Sequence, residues 1–375
     1  MTAVIVTADG HRIAVDVDAV AARHANRLLR TAGRLTTDYA REERRFRKWL
    51  WRHWGKALTL YLLAWHETNA LMTRTVQQRD KNPASSVDQV LEVLLGLQTR
   101  ACSAAHDAYA RVRGGAFGAA LGRCRTLHEL AVIARVIGEY GRKPEHADLA
   151  ERYVLHEKVL AYNDALRHQK HATTLEQTPI AAEELDRLRA EHDELVNRFG
   201  PHYRGSYGWA HDLRREGQNR MEFADLTRLA ELGHLEPYYR RASHEIHADA
   251  TGIRFALLAV DEQLLPTGGN TTGLVEPANL ALLLLQHCTT SLVLFGINPR
   301  QAHAIISLRA IQVLVDRTNI ELVAGYRSFE AATLHAKTSK WARLRSRWAM
   351  YRLNHALSVA FDRAADAEPS ENDKI

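Results

Sequence analysis

REERRFRKWLWRHWGK, residues 41–56, sets arginines, lysines and three tryptophans side by side, and the way it divides its two chemistries decides the fold. Laid on a helix at about 100° per residue, Trp49, His53, Phe46, Ala57, Leu50, Tyr61 and Trp54 fall within one arc of roughly 140°. Arg41, Arg44, Arg45, Lys48, Arg52 and Lys56 gather on the opposite side, Arg47 flanks the apolar arc, and Trp51 stands beside Arg44. A packed aromatic face under a solvated basic one accounts for both residue types without a ligand. Trp51 is the residue which that reading explains least.

The same three- and four-residue recurrence of apolar positions runs through most of the chain. It predicts helices over 18–33, 36–79, 86–112, 116–141, 145–171, 181–198, 221–233, 236–263, 275–295, 299–317 and 319–363. Before them, AVIVTADGHRIAVDV (3–17) alternates β-branched residues around Asp9-Gly10, the signal of a two-residue hairpin turn. The fold class expected is therefore all-α, a multi-helix bundle with a short N-terminal β-hairpin. Its divisions are a hairpin (1–17), basic amphipathic helices (18–84), a core helical domain (85–263), C-terminal helices (264–363) and a polar, acidic tail (364–375) expected to be disordered. Two breaks, 198–220 and 263–279, are long for a bundle, and loops of that length are usually functional or mobile. Thr267-Gly268-Gly269-Asn270 in the second lacks the spacing of a phosphate loop.

Composition narrows the class. With 46% apolar and 25% charged residues, the chain of 375 residues reads as an ordinary globular protein. A net charge of +6 permits attraction to polyanions but is modest for this length. Cys102, Cys124 and Cys288 show no paired spacing and read as reduced thiols, which points to the cytoplasm. The N-terminus lacks the pattern of a signal peptide. The apolar run 278–297 carries Gln286, His287, Thr289, Thr290 and Ser291 across its middle, as a buried helix does more readily than a lipid-facing one.

A second basic amphipathic segment, KTSKWARLRSRWAMYRLNH (337–355), places Trp341, Leu344, Trp348, Tyr351 and His355 at heptad-like spacing. Its Lys340, Arg343 and Arg347, with Arg41, Arg44, Arg45, Lys48, Trp51, Arg52 and Lys56 of the first segment, are the expected nucleic-acid contacts if the two stripes merge into one positive surface.

The more specific pattern lies in the middle. Arg125 and Glu129 stand four apart in RTLHE within an apolar neighbourhood, where partial burial demands partners. In EPYYRRASHEIHADATG (236–252), Tyr239, Ser243 and His247 recur every four residues and line one face. These motifs, with Trp209 in the linker and Leu232-Gly233 before the turn, resemble the bacterial domain-of-unknown-function family fifty-six seventy-seven over roughly 85–260. The resemblance implies a helical bundle with a polar cluster and no established activity.

Three readings of the cluster stand open. In one, Glu129 and His247 satisfy each other in a structural network. In another, His244 and His247 bind a metal with Glu129 or Asp249, but no second Glu-x-x-His completes such a site, HEIH is not H-E-x-x-H, and neither metal nor cofactor is expected. In the third, Arg240 or Arg241 followed by His247 is similar to the R-x(4–6)-H signature of the HEPN ribonucleases. That similarity implies a histidine that moves a proton from a ribose 2′-hydroxyl while an arginine holds the phosphate. Arg240, Arg241, His247, Glu129, Tyr239 and Ser243 are then the expected catalytic group. The leading expectation is a nucleic-acid-linked defence or stress protein of ribonuclease character, with RNA and a partner protein of a defence system as partners, no membrane, and self-association. The competing one is a non-enzymatic scaffold or interaction module.

Overall fold

The computed structural model describes residues 2–6, 12–80, 88–247, 250–251, 273–297 and 302–338. Thr2–Val6 (β1) and Arg12–Asp16 (β2) pair antiparallel with Thr2 opposite Asp16, while the turn containing Asp9-Gly10 lies outside the described residues. Everything that follows in the described chain is helical or turn, so the all-α class holds for the body. The boundaries expected near 84 and 263, and the tail, also lie outside the described residues.

Val17–Asp80 is one helix, α1, not two. Gly33-Arg34-Leu35, taken as a break, continues it, because a lone glycine lowers helix propensity by only about 1 kcal/mol and no proline follows. At about 1.5 Å per residue such a helix is on the order of 95 Å long. Its first half is almost wholly exposed, whereas Phe46, Leu50, Trp54, Ala57, Leu58 and Tyr61 are buried. The arc read from the sequence is thus the core face.

Gln89–Arg113 (α2) starts where the Asp88 side chain accepts a hydrogen bond from the Leu91 N–H at 3.0 Å, and ends at Gly114. Gly115, at φ +80°, makes the left-handed turn into Phe117–Tyr140 (α3), and Arg142 reaches back to Asp88 at 2.8 Å to close an antiparallel pair. Tyr61 and Trp65 of α1 donate to the Ala105 and Cys102 carbonyls of α2 at 2.8 and 2.9 Å. Leu149–His171 (α4) and Ala182–Phe199 (α5) form a second hairpin.

The linker 198–220, expected to be mobile or functional, is packed. Its 3-10 turns at Pro201–Arg204 and Gly208–Leu213 bury Tyr203, Trp209 and His211. His156 of α4 is buried beneath it with Nε2 at 3.1 and 2.9 Å from the Tyr203 and Gly205 carbonyl oxygens. His192 of α5 is buried likewise, against Tyr162. The cover of both comes from segments distant in sequence, so no local pattern records it. His335 has its side chain outside the described residues.

Phe223–Leu229 (α6) opens with a reciprocal capping box between Glu222 and Asp225. Glu236–His244 (α7) follows, shorter than the 236–263 expected; residues beyond 251 lie outside the description until 273. Val275–Ser291 (α8) is the central helix, packed on α2 and α3, with the buried Gln98 Nε2 donating to Thr289 at 3.2 Å. Val275–Gly296 is long and apolar enough to cross a bilayer, and 61% of its most apolar window is buried inside the protein, as in a core helix.

Ala302–Thr338 (α9) runs unbroken through residue 318, where two helices were expected to meet. It lies antiparallel to α1: Ser307 meets Arg74 at 2.9 Å and Ser328 meets His53 at 2.9 Å. The approach is close at Gly325, where a Cβ would run into the Trp54 indole. Trp54 donates to the Leu322 carbonyl at 3.1 Å, and Phe329 packs edge-on against Trp49 at 5.4 Å.

Candidate functional site

The polar cluster forms where α7 crosses α3, and its organiser is Arg125. Arg125 Nε donates to Glu129 Oε1 at 3.1 Å, its guanidinium lies 5.3 Å from the Tyr239 ring centroid, and Nη1 is 2.7 Å from His247 Nε2. Glu129 also accepts from the Tyr239 hydroxyl at 3.1 Å. Burial first, and then the Glu129 charge, push the Tyr239 phenol up to about 12 against the pull of Arg125, so it stays neutral and donates. A guanidinium can only donate, so in this contact the Nε2 of His247 is the acceptor. Glu129 and His247 therefore do not satisfy each other directly; Arg125 stands between them.

His247 sits beyond the end of α7, yet its N–H still bonds the Ser243 carbonyl at 3.0 Å, which keeps the four-residue spacing with Tyr239. The ring is exposed. The turn that carries it lies against small residues of α3. At Gly118 a Cβ would collide with the Glu245 carboxylate, and at Gly122 it would touch Ile246 at 3.4 Å. The sequence held this signal in Gly118-x-x-x-Gly122, whose second glycine is three residues before Arg125. Such spacing lets a second backbone approach a helix closely.

Two expected members are placed elsewhere. Arg240 lies along its own helix on Glu236 at 3.0 Å, an exposed i, i+4 pair, and Arg241 reaches Glu276 of α8 at 2.6 Å. The R-x(4–6)-H spacing does not bring its own arginine to the imidazole: Arg240, seven residues before His247, shares its side of a helix but runs back to Glu236, and Arg241, six residues before it, is turned about 120° away and reaches Glu276. Ser243 spends its hydroxyl on the Tyr239 carbonyl at 2.8 Å. Tyr239, Glu129 and His247 do converge, around an arginine from another helix.

Beneath the cluster lies His128, with 2% of its surface exposed and no hydrogen-bond partner at Nε2 among the described residues. It packs on Tyr239 and Phe223, with ring centroids 5.0 and 5.9 Å away. Burial, helped by the facing His287 and His234, lowers its pKa to about 4. Among the described residues no group of three or more His, Cys, Asp or Glu side chains is placed to hold a metal; Asp249 is outside them. Cys124 is buried, its thiol contacts the Pro277 carbonyl at 3.4 Å, and burial raises its pKa far above the usual range.

On the outer face of α1, Arg44, Lys48 and Arg52 are exposed. Arg41 and Arg45 pair with Asp38 and Glu42, each at 2.8 Å, and Lys56 pairs with Glu321 of α9. Such exposed pairs contribute little and open readily to a polyanion. Lys340, Arg343 and Arg347, and with them the second stripe, lie outside the described residues.

No curated protein and no solved structure matches the chain. A family model described as "Family of unknown function (DUF5677)" matches residues 91–263, a span that includes Arg125, Glu129, Tyr239, Ser243 and His247.

Proposed function

We propose that the chain is an RNA-binding protein whose α3–α7 cluster cleaves the phosphodiester backbone without a metal, in the cytoplasmic defence or stress setting first expected. The observation that carries this reading is the Arg125–His247 contact at 2.7 Å on an exposed imidazole. In the resting state Arg125 occupies the Nε2 lone pair that a general base needs. A bound phosphate competes for that guanidinium through stronger, charge-assisted hydrogen bonds and so frees the imidazole. His247 then takes the proton of a ribose 2′-hydroxyl, and the 2′-oxygen bonds to the adjacent phosphorus. As the P–O5′ bond breaks, the leaving oxygen receives a proton from the imidazolium. Arg125 stays on the phosphate oxygens whose charge grows, Tyr239 and Glu129 hold Arg125, and the basic face of α1 attracts the polyanion. The buried free thiols fit a reducing compartment.

The test compares cleavage of a labelled RNA by the parent, His247→Ala, Arg125→Ala and Arg240→Gln, with helicity checked for each. Loss in the first two variants and retention in the third support the reading. No cutting by the parent, or equal cutting by all four, overturns it.

A second reading is favoured by the ties of Arg240, Arg241 and Ser243 to other groups. In it the cluster is a latch that holds α7 on α3 in an interaction module, and Arg125→Ala then lowers stability with no catalytic consequence.

A further inference from the structure

Trp51, which the core face leaves over, is 48% exposed, and its place has a structural cause. Its indole lies flat against its own helix at Gly55, where a Cβ would come within 3.0 Å of the ring nitrogen and 3.1 Å of two ring carbons. Residue 55 must be that small for the ring to fold down, and one indole face is then backed by protein while the other points outward. The ring borders an open groove of about 520 Å³ between α1 and α2, lined by Arg47, Lys48, Leu50, Leu62, Tyr109 and Arg113. Three lining residues are cations and none is a carboxylate. Arg47 is partly engaged by Glu43 at 2.9 Å, yet its Nε is buried with no hydrogen-bond partner among the described residues.

We propose that this groove is a stacking site for one base of a single-stranded nucleic acid, with the flanking phosphates met by Lys48 and Arg113. A pinned indole offers a base its π-face at little cost in side-chain entropy, and every base has such a face, so the site is tolerant of sequence. The cations on either side match the charge on the strand that carries the base. A membrane surface fits less well: the ring lies along the helix, and the apolar wall of Leu50 and Leu62 is recessed behind charges. The inference rests on the reading of the chain as an RNA binder but not on cleavage.

Fluorescence anisotropy with a labelled ten-nucleotide oligouridine, in the His247→Ala background, measures binding with the proposed cleavage group removed. Trp51→Ala should weaken binding roughly tenfold with its salt slope unchanged, and Trp51→Phe should recover most of the loss. Lys48→Gln and Arg113→Gln should each lower the salt slope by about one. Affinity in Trp51→Ala equal to the parent's, or no binding by the parent, overturns the proposal, and so does equal binding to anionic lipid vesicles through the same residue. Trp51-dependent binding by a protein whose parent form cuts no RNA would leave the groove standing and remove only the cleavage reading.

Discussion

His128 should make the packing of α7 on α3 sensitive to acid. The imidazole is enclosed by α3, Tyr239 of α7 and Phe223 of α6, with the titratable His287 and His234 facing it, and among the described residues no group accepts a hydrogen bond from Nε2. Its pKa falls from 6.5 to about 4 on folding, so the unfolded chain binds this proton more readily than the folded one. Stability from this group is therefore full above the unfolded value and drains as pH falls from about 6.5 toward 4. At about 1.4 kcal/mol per pH unit, that gap comes to about 3 kcal/mol, a large share of the stability of an ordinary domain. Urea unfolding at pH 7, 6, 5 and 4 should show the parent losing that much more than His128→Phe. The other histidines with lowered values, His53, His156, His211 and His287, remain in both proteins, so the difference in slope reports the site of His128. Identical pH slopes in parent and variant would refute the reasoning.

Gly325→Ala should destabilise by about 1–3 kcal/mol, because its methyl meets the Trp54 indole at the α1–α9 crossing; an unchanged melting temperature would show that the helices part freely. Trp54→Ala, at a side chain 1% exposed, should cost about 3–5 kcal/mol by chemical denaturation, and Trp54→Phe, which loses the hydrogen bond to Leu322, appreciably less. Arg125→Gln should cost on the order of 1 kcal/mol, since its pairs are only partly buried, while shifting the imidazole NMR resonances of His247; an unmoved His247 spectrum would deny their contact. Gly122→Leu, by pressing on Ile246, should displace the turn bearing His247 and lower any RNA cleavage much more than it lowers stability, as kinetics and unfolding measured together would show.

The face of α1 was legible at residues 46–61 because periodicity records which side of a helix is buried without knowledge of what buries it. The lengths of α1 and α9 were not, because single small or polar residues read as breaks where continuous backbone hydrogen bonding and packing override propensity. The opposite error occurred at α7, where unbroken periodicity to residue 263 suggested a long helix and the described helix stops at His244. The cluster was half legible. Four-residue spacing correctly put Tyr239 on the side of the chain that His247 shares, but the arginine that serves them both lies 122 positions from His247, and no local pattern reaches that far.

From the sequence alone came the helical class, the buried aromatic stripe, the basic outer face and the residue types of the polar cluster, since each depends on local spacing and composition. Tertiary structure decided the choice of Arg125 over Arg240 and Arg241 as the partner of His247, the burial of His128, His156 and His192, and the groove beside Trp51. These depend on which helices cross and how closely, and the glycines at 118, 122 and 325 set that closeness by what their missing side chains leave room for.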